Sequence, residues 1–180
     1  GTTQGPNSIA IGNGAGTTQG NSCVAIGDGA GTTQLDGCVA IGSSAGQSQG
    51  YRSVAIGQSA GQSSQGADSV AIGENAGYIT QGSECVSIGY LTGYELQGTK
   101  SIAIGQSSGK FSQNASSISI GDQAAYTGQN TFSVAIGYQA GYQNQGTNSI
   151  AIGNQAGYSN QPSGSVVIGN FAQGDTFTTN

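Results

Sequence analysis

The stretch Ser133-Val134-Ala135-Ile136-Gly137 recurs, with small changes, eleven times in this chain. The glycines that close the pentads stand at positions 12, 27, 42, 57, 73, 89, 105, 121, 137, 153 and 169. Their spacing is 15 residues for the first three steps and 16 for the next seven. A short, fixed period predicts coils stacked on one another, rather than a domain built around one central core.

Within the pentad, small side chains alternate with β-branched ones. Val134 and Ile136 point to one side of an extended chain, and Ser133 and Ala135 point to the other. This alternation, followed by glycine, predicts a short β-strand that ends at a bend. We therefore expect an all-β repeat solenoid of eleven 15–16-residue coils over residues 1–173, with a C-terminal tail at 174–180.

The remainder of each repeat has two parts. Residues 138–141 (Tyr-Gln-Ala-Gly) are predicted to form a second short strand or extended edge, entered and left through glycine. Residues 142–148 are polar and are predicted to form the turn that leads to the next pentad. The residue that lengthens the later repeats from 15 to 16 falls within this polar part, where insertions are best tolerated.

Either face of the pentad strand could line the inside of the coil. If the Val/Ile face filled the lumen, serine and alanine would face solvent; if the small residues filled it, the Val/Ile face would be exposed. Cys23, Cys38 and Cys85 favour small residues inside, because they take the slot that is serine in the other repeats and free cysteine is often buried. An exposed Val/Ile row then requires a partner, and a symmetric ring of identical chains is the simplest one.

Glutamine stands eight positions before the last residue of every pentad. On stacked coils these side chains would lie about 4.8 Å apart, close enough for their amides to form a hydrogen-bonded ladder. Alternatively, each glutamine closes its own turn by bonding to nearby backbone. The glutamine file comprises Gln4, Gln19, Gln34, Gln49, Gln65, Gln81, Gln97, Gln113, Gln129, Gln145 and Gln161.

Tyrosine forms a second file in the later repeats, just after the 138–141 type of segment. An exposed tyrosine row could bind a glycan or a protein partner, and stacking of the rings from coil to coil explains it equally well. Lys110 interrupts the file. Its members are Tyr78, Tyr94, Tyr126, Tyr142 and Tyr158.

Composition argues against several classes of function. The net charge is −5 with three basic residues, which provides no basic stripe for nucleic acid. The chain has no histidine, so its Gly-x-Ser-x-Gly matches, such as residues 42–46, lack the base of a hydrolase. We predict no enzymatic activity, no cofactor and no metal site. No apolar run is long enough for membrane insertion.

The pentad, preceded by asparagine at 7–12 and 148–153, resembles the head repeats of trimeric autotransporter adhesins, the YadA-like heads. It is also similar to repeats of phage and viral fibres. The resemblance covers about residues 4–173. It implies a left-handed parallel β-roll and a homotrimer whose Val/Ile faces line a shared axis. It also implies an extracellular location, on a cell surface or virion surface, and a role in adhesion.

Together these features predict a structural function: a rigid rod in an extracellular fibre, appendage or adhesin head. Open solenoid ends would also allow end-to-end stacking into filaments, with Phe171 and Phe177 at the junction. One alternative is an adhesin that binds a receptor or glycan through the tyrosine file. Another is ice binding by the array 2–3, 17–18 and 32–33, in which every residue is threonine and which stops after three coils.

Overall fold

The computed structural model describes residues 3–173, which form a β-solenoid of stacked coils. All strand pairs in this range are parallel, and equivalent positions of successive repeats lie side by side. The range contains no helix, and therefore none that is long and apolar enough to cross a membrane. The predicted all-β solenoid is confirmed, whereas the predicted tail at 174–180 lies outside the described residues.

The pentads form one eleven-stranded parallel sheet, in which each coil contributes one strand of three residues. Val86 pairs with Ile102 and Ile88 with Ile104, so every side chain lies next to its counterpart in the neighbouring coil. The strands of this pentad sheet are Ile9–Ile11, Val24–Ile26, Val39–Ile41, Val54–Ile56, Val70–Ile72, Val86–Ile88, Ile102–Ile104, Ile118–Ile120, Val134–Ile136, Ile150–Ile152 and Val166–Ile168.

The glutamines lie in a second set of strands on the other side of the coil. Two four-stranded parallel sheets are joined by single bridges between Gln49 and Gln65, Gln65 and Gln81, and Gln81 and Gln97. The first sheet holds Thr3–Gln4, Thr18–Gln19, Thr33–Gln34 and Ser48–Gln49, and the second holds Glu95–Gln97, Phe111–Gln113, Thr127–Gln129 and Gln143–Gln145.

The position of this second strand corrects the sequence prediction. Residues 138–141 form a turn, because Gln139 and Gly141 have φ angles of 52° and 53°, which an extended strand does not allow. The Ala140 N–H also donates back to the Gly137 carbonyl at 3.3 Å, closing a tight turn. The strand lies instead at Gln143–Gln145, inside the segment predicted to be a polar turn.

In the repeats whose second strand has three residues, the extra residue forms a bulge in that strand. Glu95 pairs with Phe111 and Gln97 pairs with Gln113, while Leu96 between them is left out of the pairing. Leu96 has a φ of 55°, the left-handed conformation found in one class of β-bulge. The insertion therefore keeps the glutamines of successive coils in register.

Small side chains fill the lumen between the two sets of strands. The pentad alanines after the first coil and the turn alanines are buried, as Ala135 and Ala140 illustrate, and together they make up most of the apolar core. Val134 beside them is only half-buried. Of the two arrangements that the sequence allowed, the structure has the small residues inside and the Val/Ile face outside.

The first slot of the pentad is buried and links neighbouring coils. The Ser69 hydroxyl donates to the Gly82 carbonyl at 2.8 Å, and the Cys85 thiol donates to the Gly98 carbonyl at 2.9 Å. All three cysteines are buried and unpaired, which confirms the predicted packing role. Burial raises the pKa of the Cys85 thiol, so the thiol keeps the proton that it donates.

This equivalence makes Cys85→Ser a nearly neutral change. We expect the free energy of unfolding to change by less than about 0.5 kcal/mol, because serine makes the same bond in adjacent coils. Cys85→Ala should cost about 1 kcal/mol, because the half-buried Gly98 carbonyl loses the thiol as its donor. Thermal unfolding followed by circular dichroism separates the two variants, and equal midpoints for both would contradict this role of the thiol.

Candidate functional surfaces

The outer face of the pentad sheet is an uninterrupted apolar row, which we call the Val/Ile face. In the middle of the rod, Ile88 and Ile136 are 37% and 36% exposed, although strands flank them on both sides. The pentads contain no charged residue. With eleven strands spaced by about 4.8 Å, the row is about 50 Å long. A continuous apolar row of this length marks an interaction surface.

From Gln19 to Gln161 the glutamine file is buried inside the coil, whereas Gln4 in the first coil is exposed and donates to the Ser8 carbonyl at 2.8 Å. The amide of Gln49 donates both to the Val39 carbonyl at 3.1 Å and to the Gln65 amide oxygen at 2.9 Å. Each glutamine from Gln19 to Gln161 donates to a pentad carbonyl, and some also bond along the axis. Amide-to-amide bonds run from Gln19 to Gln34 (2.9 Å), Gln34 to Gln49 (2.7 Å), Gln49 to Gln65 (2.9 Å), Gln97 to Gln113 (3.2 Å) and Gln129 to Gln145 (3.2 Å).

Serine in place of the pentad alanine changes this pattern. The Ser87 hydroxyl donates to the Gln97 amide oxygen at 2.7 Å, and the Gln113 amide donates to the Ser119 hydroxyl at 3.2 Å. Both serines are fully buried. The lumen hydroxyl therefore supplies a hydrogen bond where the axial bond between the glutamines is absent. The glutamines therefore combine both predicted patterns: they bond to backbone carbonyls, and some also bond to the next glutamine along the axis.

Replacing a central glutamine with leucine should be costly. Gln145 is fully buried, donates to the Val134 carbonyl at 2.7 Å, and accepts from Gln129 at 3.2 Å. In Gln145→Leu the Val134 carbonyl loses this donor, while the Gln129 amide keeps only its bonds to the Ile118 and Ser133 carbonyls. We expect a total cost of about 1–3 kcal/mol. Gln143→Leu, an exposed position of the same strand, should change stability by less than about 0.5 kcal/mol. Chemical denaturation measures both, and equal stabilities would contradict a structural role for the buried amide.

The tyrosine file is a stack of half-exposed rings. The centroids of Tyr78 and Tyr94 lie 4.9 Å apart with planes 3° from parallel. Tyr142 stacks on Tyr126 at 5.0 Å and on Tyr158 at 4.9 Å, with interplanar angles of 12° and 8°. Each interior ring is therefore covered on both faces, and its edge and hydroxyl remain for contact with other molecules.

Phe111 closes the gap that Lys110 leaves in the sequence pattern. Its ring makes edge-to-face contacts with Tyr94 at 6.4 Å and with Tyr126 at 5.5 Å. The Lys110 ammonium lies over the Phe111 ring, 5.0 Å from its centroid, where the ring attracts the cation. The sequence analysis missed Phe111, because it stands one position after the tyrosine slot. The only sign of it in the sequence was an aromatic residue next to Lys110.

Burial among neighbouring rings also affects the phenols. Desolvation raises the pKa of Tyr94, and the nearby Tyr78 adds to the effect. Desolvation likewise raises the pKa of Tyr142, with further contributions from Tyr126 and Tyr158. The Tyr94 and Tyr142 hydroxyls therefore stay protonated at neutral pH.

The structure describes most of the threonine array and one of the two phenylalanines predicted at the junction between stacked subunits. The hydroxyls of Thr17 and Thr32 bond to backbone carbonyls at 3.0 and 2.9 Å, while Thr18 is exposed. Phe171 is 58% exposed, whereas residues 2 and 177 lie outside the described part of the chain.

Arg52 and Asp68 form an exposed ion pair at 2.6 Å between neighbouring coils, and this pair lowers the pKa of the Asp68 carboxyl.

A comparison with models of known protein families gives a match to two parts of the chain. A family model described as the YadA head domain repeat matches two copies, at residues 4–30 and 145–156. Three complete pentads fall within these matches. No curated protein and no solved structure matches the chain. The repeated pentad, its parallel stacking and the family match agree: residues 4–30 and 145–156 match the YadA head domain repeat, the repeat that the pentads resemble.

Proposed function

We propose that this chain is the rod-forming module of an extracellular adhesin head or fibre, displayed on a cell or virion surface as a homotrimer. One observation carries the proposal: the Val/Ile face runs unbroken along the whole pentad sheet and is partly exposed in the single chain. Association of identical chains through this face would remove it from water. Burial of apolar surface contributes about 25 cal/mol per Å², so the repeated row provides a large driving force.

The shape of the face supports a ring of chains. Each pentad strand is three residues long and presents two side chains outward, so the row is only about 7 Å wide. Narrow apolar rows from several chains meet well around one axis, where each contacts two neighbours. The YadA head repeats, which belong to trimeric adhesins, support three chains as the number.

The contacts within one chain support a stiff rod. Backbone bonds link every coil to the next through both sets of strands; for example, Val134 N–H donates to Ser149 O, and Gln143 N–H donates to Tyr158 O, both at 2.9 Å. Buried serine hydroxyls and glutamine amides add side-chain bonds between coils. A coil cannot tilt without breaking several of these bonds, so the rod resists bending.

Light scattering coupled to size-exclusion chromatography tests the proposal. We expect a particle of three chains, each of 17.6 kDa, and electron micrographs that show rods about 50 Å long. A stable monomer would overturn the trimer. Rods much longer than one subunit would support the further hypothesis of end-to-end stacking, and rods of uniform single-subunit length would count against it.

Binding of a glycan or receptor through the tyrosine file is a second candidate function. The half-exposed, continuous row of rings favours it, because aromatic edges and hydroxyls provide both apolar and polar contacts. Within residues 3–173, only a ring with one stacking neighbour, such as Tyr158, has a face that no other aromatic ring covers and that a sugar could contact. Tyr158→Ala should therefore weaken glycan-array binding more than Tyr142→Ala, and a blank array with intact rods would count against this function.

A further inference from the structure

The tyrosine file brings phenol rings from successive coils together in one fixed arrangement. Three pairs are stacked nearly parallel at 4.9–5.0 Å: Tyr78 with Tyr94, Tyr126 with Tyr142, and Tyr142 with Tyr158. All five rings are half-exposed, so oxidants can reach their edges. The partners in each pair are 16 residues apart in sequence. The fold, rather than local chain geometry, therefore creates the pairing.

We propose that these stacked pairs are sites of oxidative dityrosine cross-linking, which joins successive coils covalently. The co-reactant is a peroxidase-type oxidant with hydrogen peroxide. Each phenol loses one electron and one proton, and the two phenoxyl radicals join through a new bond between their ring carbons ortho to oxygen. The two ortho protons then move to oxygen and restore the phenols. The two electrons and two protons removed reduce one peroxide to two waters.

Geometry favours coupling within a stacked pair over coupling elsewhere. Radical coupling requires two rings in contact, and a folded scaffold that holds them there acts as a high effective concentration. The exposed ring edges leave room for the rings to tilt toward each other. The other tyrosines of the described range, Tyr51, Tyr90 and Tyr138, have no stacked aromatic neighbour in residues 3–173, and they are about half exposed on the surface.

The cross-links would reinforce only one part of the rod. Tyrosine first occupies this position of the repeat at Tyr78. The equivalent position in the first four repeats is held by Thr17, Thr32, Gln47 and Gln62. The edge-to-face contacts of Phe111 interrupt the series, because phenylalanine has no phenol to oxidise. The expected product is thus one link between Tyr78 and Tyr94 and one link within the group of Tyr126, Tyr142 and Tyr158.

The experiment compares two double variants with the same number of tyrosines. The folded full chain, at high dilution, is treated with peroxidase and hydrogen peroxide and then separated by denaturing electrophoresis. Dityrosine fluorescence is read in the single-chain band. Tyr94→Phe with Tyr142→Phe breaks all three stacked pairs while it keeps the rings, so the fluorescence should fall to the level of wild-type chain oxidised in denaturant. Tyr90→Phe with Tyr138→Phe should keep the wild-type signal.

Several results would overturn the proposal. Equal single-chain fluorescence in the two double variants would show that stacking does not direct the coupling. Fluorescence found only in bands of two or three chains would show that coupling occurs between chains. Circular dichroism of both variants before oxidation checks that they are folded, and phenylalanine in place of tyrosine preserves the ring packing. The readout does not depend on how many chains associate, so it is independent of the proposed trimer.

Discussion

Gly121→Ala will destabilise the rod by more than about 3 kcal/mol, among the largest effects that we expect from a single methyl group in this chain. Gly121 has a φ of 129°, a region that is essentially restricted to glycine and costs other residues about 1–3 kcal/mol. Its position is also crowded. A Cβ atom there would lie 2.5 Å from the carbonyl oxygen of Gly137 in the next coil.

The crowding cannot be relieved locally. The Gly137 carbonyl belongs to the backbone that stacks on the next coil, and a Cβ on Gly137 would in turn lie 2.5 Å from the carbonyl oxygen of Gly153. The closing glycines therefore form a continuous file of close backbone contacts along the rod. To accommodate one methyl group, two coils must move apart, which breaks the backbone hydrogen bonds between them.

Gly128→Ala is the matched control in the same repeat. Gly128 has a φ of 68°, and its nearest neighbour is the side-chain oxygen of Asn144, which is exposed and can move. Leu96 and Asn144 occupy equivalent bulge positions with φ angles of 55° and 53°, so a side chain fits there. We expect a cost of about 1 kcal/mol for the left-handed backbone alone. Similar thermal midpoints for Gly121→Ala and Gly128→Ala would contradict the role assigned to the glycine file.

Paired substitution of Ile120 and Ile136 with aspartate will reduce the proposed trimer to monomers. These residues lie side by side in adjacent strands, and each is 36% exposed in the single chain. In a trimer, the two substitutions would place six carboxylates near the axis, without partners and away from water. Each buried unpaired charge costs several kcal/mol, which exceeds what the remaining contacts of these two coils can offset.

Light scattering of the variant measures this effect directly. We expect the mass of one chain and a circular dichroism spectrum that still shows β-structure, since neither side chain points into the lumen. Gln143 and Asn160 lie on the opposite side of the coil, where Gln143 is exposed; their paired replacement with aspartate should leave the trimer intact. A mass of three chains for Ile120→Asp with Ile136→Asp would show that the Val/Ile face is not the interface.

The second strand shows where sequence reasoning was limited. A strand of two or three residues is too short to show alternation, so the pattern around Gln145 gave no strand signal. The position of this strand depends on the turn at 138–141. That turn contains Gln139 in the left-handed conformation, for which glutamine has no strong preference, so the turn was not visible in the sequence. Phe111 was missed for a related reason, because the aromatic file depends on where a ring reaches in space rather than on an exact sequence spacing.

The sequence by itself determined the stacking of coils, because a repeat of constant length places every Val134-type and Gln145-type residue above its counterpart. It also determined that the pentads form the main sheet and that glycine must close them. Only the tertiary structure decided which face of the pentad is inside. The two sets of strands approach closely enough that the lumen admits alanine, serine and cysteine beside the buried glutamine amides. The same closeness leaves no room for valine and isoleucine inside most coils and turns them outward, toward the surface where we propose the chains meet.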